Sequence, residues 1–136
     1  MEDVKQATEA PKPGTKDAMK AHPESKMWEL VNGDIEKVNG RTSFDGMRAG
    51  DPAAQEVVDN YIMYLGCGLA NVVNTFQPDI LCIGGGICNE RETLLGPVRA
   101  YVEKERYSMN SDKNTKLIRA ELGNDAGIIG AALLGK

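Results

Sequence analysis

The stretch Pro78-Asp79-Ile80-Leu81-Cys82-Ile83-Gly84-Gly85-Gly86-Ile87-Cys88-Asn89-Glu90 most constrains how this chain can fold, because a short apolar run ends abruptly in three consecutive glycines. The run from Ile80 to Ile83 is continuous, β-prone and bounded by Pro78 and Gly84, which predicts a strand buried on both faces of a parallel sheet. The glycines adopt positive φ without strain and carry no side chain, so a ligand or another backbone can come close. A helix beginning near Asn89 would aim its free N–H groups across this loop, a disposition that favours anions such as nucleotide phosphate. Residue types alone leave two readings open here: a nucleotide loop, and a close-packed turn that binds nothing. Gly-Gly-Gly has neither the Rossmann nor the P-loop spacing that would decide between them.

Upstream, the pattern is helical. Asp51-Pro52 is a helix-opening pair, with Asp51 as cap and Pro52 in the first turn. From there Val57, Val58, Tyr61, Ile62, Leu65, Leu69, Val72, Val73 and Phe76 recur at three- and four-residue steps, the period of one helix face. Gly66 and Gly68 interrupt that helix at about 1 kcal/mol each relative to Ala, which predicts a closely packed neighbour or a substrate edge beside them. Shorter helices are expected over residues 15–21, capped by Thr15, around Met27 to Val31 with a stop at Asn32-Gly33, and over residues 42–50. Residues 1–25 read as a polar, mobile segment broken by Pro11, Pro13, Gly14 and Pro23, in which the lone His22 is solvated.

Downstream, Asn89 and Glu92 have the spacing of a capping box, and Gly96-Pro97 reads as a break after which Pro97 opens a second helical segment. Lys116 to Glu121 predicts a second strand, so that strand, crossover helix and strand make a right-handed parallel unit. Asn124 or Asp125 then caps a last helix with Gly127, Gly130 and Ala131 on one small-residue face.

A chain of 136 residues is large enough for one real core. The net charge of −4, with both signs interspersed, argues against nucleic acid or an anionic membrane as partner. There is no apolar run of about 18 residues, and the start Met1-Glu2-Asp3-Val4-Lys5 is too polar for a secretory signal, so the expected location is cytoplasmic. Cys67, Cys82 and Cys88 all lie in or beside apolar segments and are expected to be buried, reduced thiols. No metal site is expected of them, since His22 is far away in a polar stretch.

Taken together, Ile80-Leu81-Cys82-Ile83-Gly84-Gly85-Gly86-Ile87 and Leu122-Gly123-Asn124-Asp125-Ala126-Gly127-Ile128-Ile129-Gly130-Ala131-Ala132, preceded by the long helix, resemble the C-terminal part of a ROK-family sugar kinase of glucokinase type. The resemblance covers roughly residues 26–136. It implies an α/β fold: a helix-rich fragment of the C-terminal lobe of an actin-like ATPase, ribonuclease H-like, with a parallel βαβ unit. It further implies that Gly84, Gly85, Gly86, Ile87 and Asn89 bind nucleotide, and that Asp125, Ala126, Gly127 and Gly130 belong to the helix at the interlobe crossing. ATP with Mg2+ is the implied cofactor of the parent enzyme, and an adenine nucleotide and the missing N-terminal lobe are the implied partners.

The family's phosphate-binding segment, sugar base, second glycine loop, sugar-holding glutamate and zinc motif have no counterpart here. No catalytic residue is therefore assigned, and the isolated chain is expected to be inactive. The alternative implied function is the non-catalytic sugar-effector or interaction module of a ROK-type repressor. The chain is expected to self-associate as a homodimer through a strand edge or the last helix, because two strands alone leave unpaired edge groups.

Overall fold

The computed structural model describes residues 14–108 and 110–135, with Asn124 defined in its backbone only. These residues divide after Tyr61 into two compact units. Of the segment expected to be mobile, residues 1–25, residues 1–13 lie outside the described residues, while residues 14–25 form a helix and a turn that bury Ala18, Met19 and Ser25.

The first unit is helical. Helix α1 (Thr15–Ala21) starts one residue earlier than expected: Gly14 occupies the cap position and its carbonyl takes the first helical bond from Ala18 N at 2.9 Å, leaving Thr15 as the first helical residue rather than the cap. Helix α2 (Met27–Leu30) ends as its Asn-Gly stop requires, with Asn32 and Gly33 both at positive φ and Gly33 N donating to Trp28 O at 2.8 Å. A 3-10 turn (Ile35–Lys37) leads to α3 (Thr42–Arg48) and then to the long α4 (Pro52–Phe76), which matches its sequence period over all 25 residues. Met19, Met27 and Ala54 meet with no exposed surface, and Phe44 lies edge-on to Tyr61 with ring centroids 6.5 Å apart. Gly46 lets α3 approach α4 closely, since a Cβ there would fall 2.7 Å from that of Ala54.

Asp51 ties two helix starts together. Its Oδ1 accepts from Ala53 N at 2.9 Å and Ala54 N at 3.4 Å, opening α4, while Oδ2 accepts from Ser25 Oγ and from Met27 N, opening α2. Burial opposes ionisation of this carboxyl, but the four donors outweigh it and hold it below its ordinary range.

The second unit holds a two-stranded parallel sheet, β1 (Ile80–Ile83) and β2 (Lys116–Arg119), in register Ile80↔Lys116 to Ile83↔Arg119. Helix α5 (Glu92–Glu105) crosses between them and buries Leu94, Leu95, Val98 and Val102. Two expectations about α5 are corrected. Pro97 lies inside one continuous helix instead of opening a second segment, and the Asn89–Glu92 capping box does not form. A 3-10 turn (Gly86–Glu90) takes up Asn89, and Arg91, at φ 51°, supplies the carbonyl that receives Leu95 N at 2.9 Å.

Gly66 has the close neighbour predicted for it, since a Cβ would stand 2.7 Å from Tyr101 Cγ; Gly68 faces open space. The expectation that β1 is buried on both faces also fails. Leu81 and Ile83 are half-buried, while Ile80 and Cys82 are exposed, because among the described residues only one face of the sheet is covered. Cys82 is exposed for lack of such cover and Cys67 is exposed on α4, so only Cys88 is the buried thiol expected of all three. The last helix, α6 (Ala126–Leu133), buries none of its described residues.

Candidate functional site

Parallel strands end on the same side of a sheet, so the two loops that follow them must open toward each other. Here those loops are the two glycine-bearing segments. After β1 the chain runs through Gly84 to Gly85, which at φ 92° adopts a conformation that glycine alone takes readily, and turns into the 3-10 segment. After β2 it runs through Ala120, Glu121 and Leu122 to Gly123, at φ 54°, and a second 3-10 turn (Gly123–Asp125) that continues into α6. Between them lies a cleft of about 460 Å³ lined by Gly84, Gly85, Cys88, Asn89, Arg119, Ala120, Glu121, Leu122, Gly123 and Asp125.

Of the sequence-assigned nucleotide residues, Gly84, Gly85 and Asn89 line this cleft, and Gly86 and Ile87 do not, since the 3-10 turn carries them out of it. Of the residues assigned to the interlobe helix, Asp125 lines the same cleft, whereas Ala126, Gly127 and Gly130 do not. A Cβ added at Gly127 or Gly130 meets nothing within 4 Å. Sequence reasoning gave no site role to Arg119, Ala120, Glu121, Cys88, Leu122 or Gly123, which also line the cleft. The signal available for the first three was their place at the C-terminal end of β2, level with the glycines after β1.

Chemically, the cleft has an open glycine floor and a mixed rim. A Cβ at Gly85 would meet no atom within 4 Å, so the loop leaves free space in front of its backbone. Cys88 Sγ donates to Gly84 O at 3.3 Å and fixes the turn. Burial pushes this thiol up, against the pull of the Arg119 guanidinium, so Cys88 is a neutral hydrogen-bond donor. Arg119 is the one cationic side chain of the lining, which also includes the carboxyl residues Glu121 and Asp125. This balance suits an uncharged polar group, such as a base and ribose, better than a bare triphosphate. Among the described residues no three His, Cys, Asp or Glu side chains converge to hold a metal ion.

The sequence profile of the ROK family matches residues 17–136. The chain belongs to the ROK family. It is 38% identical over 93 residues to a glucokinase of Halalkalibacterium halodurans, an alignment that covers 68% of this chain and 28% of the relative. More distantly, it is 27% identical over 94 residues to a xylose repressor of Bacillus spizizenii, covering 69% of this chain and 24% of the repressor. Among solved structures, the ROK glucokinase of Streptomyces griseus, crystallised with glucose and AMPPNP, superposes with a TM-score of 0.74 at 29% identity, over 88% of this chain and 39% of that one. This ROK chain thus spans between about a quarter and two fifths of the length of these relatives. Among its described residues no helix is long and apolar enough to cross a membrane.

Proposed function

We propose that this chain is the nucleotide-side wall of an ATP-dependent hexose kinase of glucose type, acting in the cytoplasm. The observation that carries the reading is the meeting of both glycine-bearing loops in one cleft at the C-terminal ends of parallel strands, in a chain similar to a glucokinase crystallised with an ATP analogue. In this reading Gly84 and Gly85 let the adenosine lie against the backbone, and Asn89 and Arg119 address its polar edge. The residues fit a nucleoside better than they fit Mg2+. The ion would supply charge neutralisation at the phosphates, held by the phosphates themselves and by segments beyond this wall. The sequence carries no counterpart of the family's sugar base, so the 136-residue chain alone is inactive in this reading.

The test is titration of the chain with AMPPNP, read by amide NMR. Saturable shifts are expected at Gly84, Gly85, Asn89 and Gly123. They should weaken in Gly84→Val, whose Cβ would sit an unstrained 3.7 Å from Ala120 Cβ and whose added methyls crowd the cleft mouth. A coupled ATP-glucose assay should stay at the no-enzyme blank. Turnover above that blank that is lost in Asp125→Asn would overturn the inactive-wall reading.

The similarity to the xylose repressor favours a second reading, the effector-binding part of a ROK-type repressor. Shifts with sugar and none with AMPPNP would decide for it.

A further inference from the structure

The pair Asn-Gly stands at two places in the first unit, Asn32-Gly33 and Asn39-Gly40. Such a pair is open to an internal reaction, because glycine has no Cβ to shield its own backbone nitrogen from the Asn side chain before it. All four residues are exposed, so exposure does not separate the two pairs. Their hydrogen bonds do. Gly33 N, the nitrogen that would react, donates to Trp28 O at 2.8 Å in the stop of α2, with Asn32 and Gly33 both at positive φ. Among the described residues no acceptor takes up Gly40 N. Asn39 is held on either side of it: its N donates to Thr42 Oγ1 at 3.1 Å, its carbonyl accepts from Thr42 N at 3.1 Å, and its Oδ1 accepts from Arg41 N at 2.9 Å. The last bond closes an Asx turn, a ring that contains both Asn39 Cγ and Gly40 N and so folds the side chain back over that nitrogen. Each of these contacts joins residues no more than five apart, so each is set by the local chain.

We propose that Asn39 is a site of spontaneous covalent modification, and that the stop of α2 protects Asn32 from the same reaction. Gly40 N gives its proton to hydroxide and attacks Asn39 Cγ; a new C–N bond forms while negative charge builds on Oδ1. Arg41 N–H already donates to that oxygen, in the place an oxyanion donor would take. When the charge returns, the Cγ–Nδ2 bond breaks and the nitrogen takes a proton from water and leaves as ammonia. The product is a cyclic imide, and water opens it at either of its two carbonyls. One opening restores the original main chain and leaves aspartate, which caps a helix as well as asparagine does. The other leaves isoaspartate, whose main chain runs through Cβ and Cγ and is longer by a carbon. That path displaces Thr42 from both of its bonds to Asn39, at the start of the helix that buries Thr42, Ser43 and Phe44. At Asn32 the same attack must first withdraw Gly33 N from Trp28 O. The reaction needs neither nucleotide nor sugar, so its failure would not touch the kinase reading.

The experiment is incubation of the 136-residue chain in mildly alkaline buffer, followed by brief trypsin digestion and mass spectrometry. Cleavage after Lys26, Lys37 and Arg41 places Asn32 in the peptide 27–37 and Asn39 in the peptide 38–41, so the two sites are read separately. The signal is the mass gained when an amide becomes an acid. In the folded chain the peptide 38–41 should convert at least about tenfold faster than 27–37, the rate equivalent of the hydrogen bond that Gly33 N must give up. In guanidinium, where the fold and its bonds are gone, the two rates should converge. Asn39→Asp, which keeps the cap, should remove the mass gain from 38–41 and leave 27–37 unchanged. Equal rates in the folded chain overturn the proposal, as does a peptide 38–41 that does not convert. A ratio that persists in guanidinium overturns it too, since flanking sequence and not the fold would then set the difference.

Discussion

The two units treat similar apolar sequence differently. In residues 14–61, three helices too short to stand alone and the first turns of α4 bury Met19, Met27, Phe44, Ala54 and Val58 almost completely. In residues 62–135, a core of Leu94, Leu95, Val98 and Leu117 is equally closed on the α5 side of the sheet. Ile80, Ile118, Phe76 and the large apolar residues of α6 nevertheless remain open, Ile128 at 73% and Leu133 at 57%. Apolar composition thus marks surface that is meant to be covered without saying what covers it. The first unit supplies its own cover; the second leaves a sheet face and a terminal helix for something else.

The largest expected effect tests whether the first unit is closed. Phe44→Ala should cost about 3–5 kcal/mol, with hydrogen exchange accelerating over residues 14–61 well before the strands. A loss shared equally by both units would mean that they unfold as one and that the contrast is only one of exposure. Next comes the closed side of the second unit. Gly66→Val, whose Cβ would fall 2.7 Å from the Tyr101 ring, should cost about 1–3 kcal/mol in denaturant unfolding. Gly68→Ala, at an open site of the same helix, should instead gain up to about 1 kcal/mol.

Asp51 gives a third, pH-dependent test. Its carboxyl is held below its ordinary range in the folded protein, so its contribution is complete above the unfolded value of about 3.9 and is lost as pH falls through the folded value. Asp51→Ala should therefore remove about 1–2 kcal/mol at neutral pH and flatten the loss of stability below about pH 4. A mutant that keeps the wild-type acid slope would mean that other carboxylates set it. The smallest effect is expected on the open side. Ile128→Ser should change unfolding stability by less than about 0.5 kcal/mol, and a larger loss would show that α6 is covered after all.

The elements themselves were legible in residue order. The α4 period, the Asn32-Gly33 stop and the Asp51-Pro52 start follow from local pattern, because hydrogen-bond geometry and side-chain periodicity act over a few residues, and the parallel sense of β1 and β2 was expected from the helix that crosses between them. Half of the cleft was legible too, since three glycines after a strand are a local signal. Arg119 and Glu121 carry no such signal; they become site residues only because the register sets Arg119 beside Ile83 and brings the second loop level with the first.

What sequence alone determined, then, was which segments are helix or strand and which surfaces are apolar. Tertiary structure decided the rest. Pro97 stays inside α5 because the packing of Leu94, Leu95, Val98 and Val102 holds the helix through it at the loss of one backbone bond. Cys88 is buried while Cys82 is not because α5 covers one side of the sheet only. Burial is a property of the space around a residue, set by elements distant in the chain. For Ile80 and Cys82 those elements are not among the residues described, so their apolar character states a need that this fold leaves open.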